Sequence, residues 1–124
     1  MNRAPADFLP LTPAVLHILL ALAAGEKHGY AMMREVEELS DGAIRLGPGT
    51  LYRSIKRMLD DGFIEEADER EDPTLNDERR RYYRLTPFGS QVLGLETGRL
   101  ERLLSTARQR QVRGRVARQA LRDA

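Results

Sequence analysis

The chain contains no cysteine, which excludes disulfides and thiolate metal sites. Its only two histidines, His17 and His28, lack the spacing of a metal site. No Gly-rich phosphate loop, nucleophile elbow or metal-ligating cluster occurs, so the sequence points away from an enzyme and no cofactor is expected. No apolar run approaches the ~20 residues needed to span a bilayer. Arg3, the run Val15–Ala24 and the tripeptide Ala21-Leu22-Ala23 do mimic a short secretory leader. Pro10, Pro13 and His17 fit that pattern poorly, and cleavage would remove the first helix of the only coherent fold. The cytoplasm is therefore the expected compartment.

What is present suits a globular protein. Of 124 residues, 41% are hydrophobic and 31% charged, which bounds the chain to one domain or a small domain with an appendage. A net charge of +1 says little about partners, but the distribution says more. Residues 65–78 carry Glu65, Glu66, Asp68, Glu69, Glu71, Asp72, Asp77 and Glu78 against the single Arg70. Residues 99–122 carry eight arginines against one acid, Glu101. Such segregation suggests faces with separate jobs. Lys27 and Lys56 are the only lysines. Arginine suits bidentate contacts to phosphate and guanine, although an Arg-rich coding bias explains the count equally well.

Residues 1–11 read as a Pro-punctuated arm with Phe8 and Leu9 available for packing. Thr12-Pro13 caps and opens a helix to about Ala24. A second helix is predicted from His28-Gly29 to about Leu39, with Met32, Val36 and Leu39 sharing its inward face. Ser40-Asp41-Gly42 is a turn, and Ala43–Leu46 is short enough to form one strand or bridge. Gly47-Pro48 starts a third helix to about Asp61, with Leu51, Ile55, Met58 and Leu59 as its core stripe. A hairpin follows, with strands near Phe63–Ala67 and Arg80–Leu85 and a loop holding Pro73 and Asn76-Asp77. Arginines of its second strand would face glutamates of its first. Thr86-Pro87 opens a final helix in which Leu93, Leu100 and Ala107 repeat every seven residues, a partial coiled-coil seam. Gly89, Gly94 and Gly98 weaken that helix but permit close approach of another. Beyond Ser105 the expectation is fraying or a solvated basic helix. There is no internal repeat.

Three helices, a hairpin and a long helix make a mainly α fold with a β wing: the winged helix-turn-helix. Residues 1–86 would be the DNA-binding domain and residues 87–124 the dimerisation helix. With its aliphatic stripe inward, the third helix turns Thr50, Arg53, Ser54 and Arg57 outward, flanked by Tyr52 and Lys56. No acid occurs from Gly47 to Leu59 in a chain with 19 acidic residues, as expected of a surface facing a polyanion. Any one amphipathic helix shows a solvated polar face; the order of elements is what singles this one out. Tyr82-Tyr83 reads as hairpin packing, Met32-Met33 as core filler, and His17 as a hydrogen-bonded core residue.

Four separated motifs, His28-Gly29-Tyr30, Pro48-Gly49-Thr50-Leu51-Tyr52, Gly62-Phe63-Ile64 and Arg79-Arg80-Arg81-Tyr82-Tyr83-Arg84-Leu85-Thr86, resemble the PadR-type transcriptional regulators, over about Leu11 to Gly98. The resemblance implies a winged helix-turn-helix that dimerises through its C-terminal helix and usually represses transcription. It implies DNA contacts by Thr50, Tyr52, Arg53, Lys56 and Arg57, by the basic run Arg79, Arg80 and Arg81, and by Tyr30 near the backbone or the domain core. It also implies the compact branch of that family, and effectors that are often aromatic or phenolic and sensed between subunits. Because the wing here is acidic, only Arg79–Arg81 are expected to touch phosphate.

The expected protein is a cytoplasmic homodimer reading an inverted-repeat operator, with half-sites roughly 34 Å apart. Ser54 joins the DNA-facing set, and Leu16, Leu20, Val92, Leu93, Leu100, Leu103 and Leu104 are the expected dimer contacts. The alternative is a winged-helix protein-interaction module whose acidic hairpin meets a basic partner.

Overall fold

The computed structural model describes residues 3–71 and 79–123, with side chains for all of these except 69–71, 79 and 112–118. A 3₁₀ turn at Pro5–Phe8 leads into helix α1, Pro13–Ala23. The Thr12 hydroxyl accepts from the Val15 amide at 3.3 Å and Pro13 takes the first helical position, so one orphan donor is satisfied and another is absent. Ile18, Leu19, Ala21 and Leu22 are buried. The leader-like run is thus the heart of the core.

Strand β1, Lys27–His28, runs directly into helix α2, Gly29–Leu39. The His28 ring performs both transitions. Its Nδ1 caps α2 by accepting from the Ala31 amide at 3.2 Å, while the ring meets Tyr82 edge-on at 5.3 Å. Lys27 pairs with Glu35 at 3.1 Å. After α2 the chain turns over Ser40, whose hydroxyl accepts from the Ile44 amide at 2.9 Å.

Helix α3 spans Pro48–Asp60 behind the N-cap Gly47. Its end is closed by two backbone bonds, Gly62 to the Leu59 carbonyl and Phe63 to the Met58 carbonyl, with Gly62 at φ 79°. That is the glycine-dependent Schellman stop. Strand β2, Ile64–Glu71, then pairs antiparallel with β3, Arg79–Leu85, and β3 also pairs with β1, giving the order β1-β3-β2. The register sets Glu65 opposite Arg84, and slips between Glu66 and Glu69. Finally Pro87–Asp123 forms the 37-residue helix α4.

One core joins all of this. Ile18, Leu19 and Leu22 of α1, Met32 and Val36 of α2, and Leu51, Ile55 and Met58 of α3 meet Phe63, Ile64, Tyr83, Val92 and Leu93. Phe8, Phe63 and Phe88 form an aromatic corner, with centroids 4.8 and 5.8 Å from Phe8. Thr86 fastens the corner: its hydroxyl donates to the Gly62 carbonyl and accepts from the Gly89 amide.

Several expectations are corrected. Of the face expected to turn inward on α2, Met32 and Val36 are buried but Leu39 is exposed. Ala43–Leu46 forms no strand; the third strand is Lys27–His28. The first wing strand begins at Ile64 and reaches Glu71 rather than Ala67. The loop with Pro73 and Asn76-Asp77 lies outside the described residues. His17 is hydrogen-bonded, through Nδ1 to the Pro13 carbonyl at 2.6 Å, but it is half-buried rather than a core residue. Of the two readings of α4 beyond Ser105, the solvated helix agrees with the structure: its backbone is helical to Asp123, with residues 101–111 exposed. Gly89 does permit a close approach, of the Phe63 backbone, whereas a Cβ at Gly94 would meet nothing within 4 Å.

Candidate nucleic-acid interface

Helix α3 sorts its side chains as its 3.6-residue period requires. Leu51, Ile55 and Met58 are buried, and Thr50, Tyr52, Arg53, Lys56 and Arg57 are exposed, with Ser54 half-buried between the two sides. The Arg53 guanidinium donates to the Thr50 hydroxyl at 3.2 Å, one helical turn away. Arg57 reaches toward Asp61 at 3.8 Å with its side chain 79% exposed, a weak pairing that leaves the guanidinium in solvent. Arginines one turn apart, free of acids on the intervening face, can present five-donor forks to base edges or phosphates.

The adjoining helix explains the His-Gly-Tyr motif physically. A Cβ on Gly29 would lie 3.2 Å from Leu51 Cδ2 and 3.5 Å from the Tyr52 hydroxyl, so glycine lets α2 start directly against α3. Tyr30, one residue later, is exposed, on the surface and not in the domain core. Tyr52 is 59% exposed. Tyr52 thus lies exposed on α3 itself and Tyr30 at the start of α2.

The wing is differently organised. Arg81 pairs with Glu66 at 3.3 Å, and Arg84 pairs with Glu65 at 2.9 Å and Glu26 at 3.4 Å, so the predicted cross-strand pairing is present. Arg80 is half-buried. Arg79 begins β3, and its side chain lies outside the described set. Tyr83 is packed inward, and burial pushes its phenol above the ordinary value, so it stays neutral. The acidic residues whose side chains are described in β2 are thus partly neutralised by the second strand.

Thr50, Arg53, Ser54 and Arg57 also form one wall of a hollow of about 490 Å³. Arg3, Asp7, Phe8 and Thr12 lie across it. Sequence reasoning did not place the N-terminal arm here, and no local signal could have done so. The arm is held by a contact 85 residues away in the chain: the Leu11 amide donates to Glu96 of α4 at 2.7 Å. Glu96 is fully buried and also takes Arg99 at its other oxygen. The Arg99 hydrogen bond, together with that of Leu11, holds the Glu96 carboxyl below its ordinary value despite burial.

The expected dimer residues divide into two groups. Val92 and Leu93 are 0% and 8% exposed within the protomer, because the first turns of α4 pack on α1 and β3. Within the protomer they leave little surface for a partner. Leu16 and Leu100 are half-buried, while Leu20, Leu103 and Leu104 are exposed by 37%, 54% and 49%. Leu95, 46% exposed, was not anticipated. Among the described residues there is no group of three or more potential metal ligands, and no helix is long and apolar enough to cross a membrane.

Comparison with known proteins bears on the same region. Residues 16–95 match the model of the "Transcriptional regulator PadR-like family". The chain is 36% identical over 88 residues to the transcriptional regulator Rv3488 of Mycobacterium tuberculosis, covering 71% of this chain and 76% of that one. It is 37% identical over 90 residues to an uncharacterised 37.1 kDa protein in transposon TN4556 of Streptomyces fradiae, covering 73% of this chain but only 24% of the relative. The chain therefore spans about a quarter of that longer protein. In structure it is similar to PadR of Bacillus subtilis, solved in complex with operator DNA, with 25% identity and a TM-score of 0.57 over 68% of this chain and 46% of that one. Sequence match, element order and winged helix-turn-helix architecture agree, and the chain belongs to the PadR-like family of transcriptional regulators, which are not enzymes.

Proposed function

We propose that this regulator binds an inverted-repeat operator as a cytoplasmic homodimer and represses transcription by occupying it. The observation that carries the proposal is the outward face of α3: Thr50, Tyr52, Arg53, Lys56 and Arg57 exposed, with no acid from Gly47 to Leu59. Arg53 and Arg57 are assigned to base edges, Thr50, Ser54 and Lys56 to phosphate or short base contacts, and Tyr30 and Tyr52 to the flanking backbone. Arg79, Arg80 and Arg81 are assigned to phosphate beside the wing. The operator complex of the Bacillus subtilis relative supports operator binding as such.

Residues 1–86 are read as the DNA-binding unit and residues 87–124 as the dimerisation helix, whose first turns also complete the core. Leu100, Leu103 and Leu104, with Leu16 and Leu20 of α1, are assigned to the interface, because an apolar stripe that the protomer leaves partly exposed calls for cover. Any aromatic or phenolic effector would lie between the subunits along that stripe. The acidic wing argues little for a protein-interaction module, since Glu65 and Glu66 already face Arg84 and Arg81.

The test is to select bound duplexes from random DNA and titrate them against variants by fluorescence anisotropy. Arg53→Ala and Arg57→Ala should each cost about 1–3 kcal/mol and relax preference at particular base pairs, whereas Arg81→Ala should weaken all duplexes alike. Failure to enrich any sequence, or equal sequence-blind losses for all three variants, would overturn the reading.

A further inference from the structure

The hollow beside α3 has a wall that no part of the third helix supplies. Arg3 is fixed there by two contacts: its guanidinium donates to the Asp7 carbonyl at 2.9 Å and lies 3.9 Å from the centroid of the Phe8 ring. Phe8 is itself wedged into the aromatic corner against Phe63 and Phe88, and the chain just beyond is tied to α4 through Leu11 and Glu96. An arm anchored at both points presents its cation with much of the ordering entropy already lost in the free protein. This segment lies before residue 16, where the family match begins.

We propose that Arg3 contacts the DNA backbone, so that a phosphate ridge is seated in the hollow between the arm and α3. The inference rests on α3 lying in a major groove, as proposed above. A helix in that groove is flanked by phosphate strands. The strand on the arm's side would run between the Thr50 and Ser54 hydroxyls with Arg53 and Arg57 on one wall, and Arg3 on the other. Two acids line the same hollow, Asp7 and Asp61. Asp7 accepts from the Ala4 amide at 2.9 Å and Asp61 faces Arg57. Three guanidiniums against two carboxylates leave the hollow cationic.

Salt dependence isolates this contact. Each phosphate neutralised adds about 0.9 to the magnitude of the slope of log K against log salt. Removing one contact should therefore shrink the affinity ratio between about 50 and 200 mM salt by about threefold. The experiment compares the full chain with Arg3→Ala and Arg3→Lys on one selected operator duplex and on a scrambled duplex, with thermal melts as a folding control. Arg3→Ala should lower the slope by about 0.9 on both duplexes while the melting temperature holds, and Arg3→Lys should restore the slope. An unchanged slope in Arg3→Ala, with wild-type operator preference intact, overturns the arm contact alone. Absence of any operator preference in the wild type overturns the reading beneath it as well. A lost slope accompanied by a lowered melting temperature in Arg3→Ala but not in Arg3→Lys would mark a packing role and also reject the contact.

Discussion

At the scale of single residues, two positions bind distant parts of the chain together and make sharp predictions. A Cβ on Gly89 would sit 1.9 Å from the Phe63 carbonyl oxygen, a backbone atom that cannot rotate aside. Gly89→Ala should cost stability at or above the upper end of the ~1–3 kcal/mol typical of overpacking, read from urea unfolding; a neutral result would show that the α4 entry can slide. Glu96 is the second. Because its carboxyl is held below the ordinary value by Arg99 and the Leu11 amide, its contribution to stability is complete above that ordinary value and is lost as pH falls through the lowered one. Glu96→Gln should therefore be less stable than wild type at neutral pH, with the gap narrowing as pH falls below the ordinary carboxylate range. Unfolding midpoints across that range would check the sign. A gap that widens in acid would contradict it.

At the scale of elements, the periodic pieces were legible and the short or long-range ones were not. Thr12-Pro13, Gly47-Pro48 and Thr86-Pro87 announced three helix starts because capping chemistry is local. The stripe Leu51, Ile55 and Met58 sorted α3 correctly for the same reason. Strand β1 is two residues long, too short to carry any alternation, and it exists only because β3 offers it an edge. The heptad at Leu93 and Leu100 showed an apolar seam, but a seam does not say whether its cover comes from the same chain or another. For Val92 and Leu93 the cover is the protomer's own core. The arm's position was hidden because it depends on Glu96, an acid whose burial no local pattern reveals. The wing yields a prediction at this scale. Arg84 spans Glu65 of β2 and Glu26 before β1, all at the surface, so Arg84→Ala should leave the melting temperature nearly unchanged in thermal unfolding. A marked drop would mean that the three strands depend on that guanidinium for register.

At the scale of the whole molecule, α4 is a rod of 37 residues, about 55 Å long at 1.5 Å per residue. Its first turns are rooted in the core and residues 101–111 stand exposed. Leu103→Glu with Leu104→Glu should therefore shift the proposed dimer toward monomer in sedimentation equilibrium while leaving the protomer's helical circular dichroism nearly unchanged. A species of unaltered mass would place the interface elsewhere. The bond from Leu11 to Glu96 adds a mechanical consequence. Through that bond the leading segment of the chain rides on the terminal rod as well as on its neighbour α1. A roll of the rod about its own axis therefore either breaks that bond or moves the segment with it, beside the flank of the third helix.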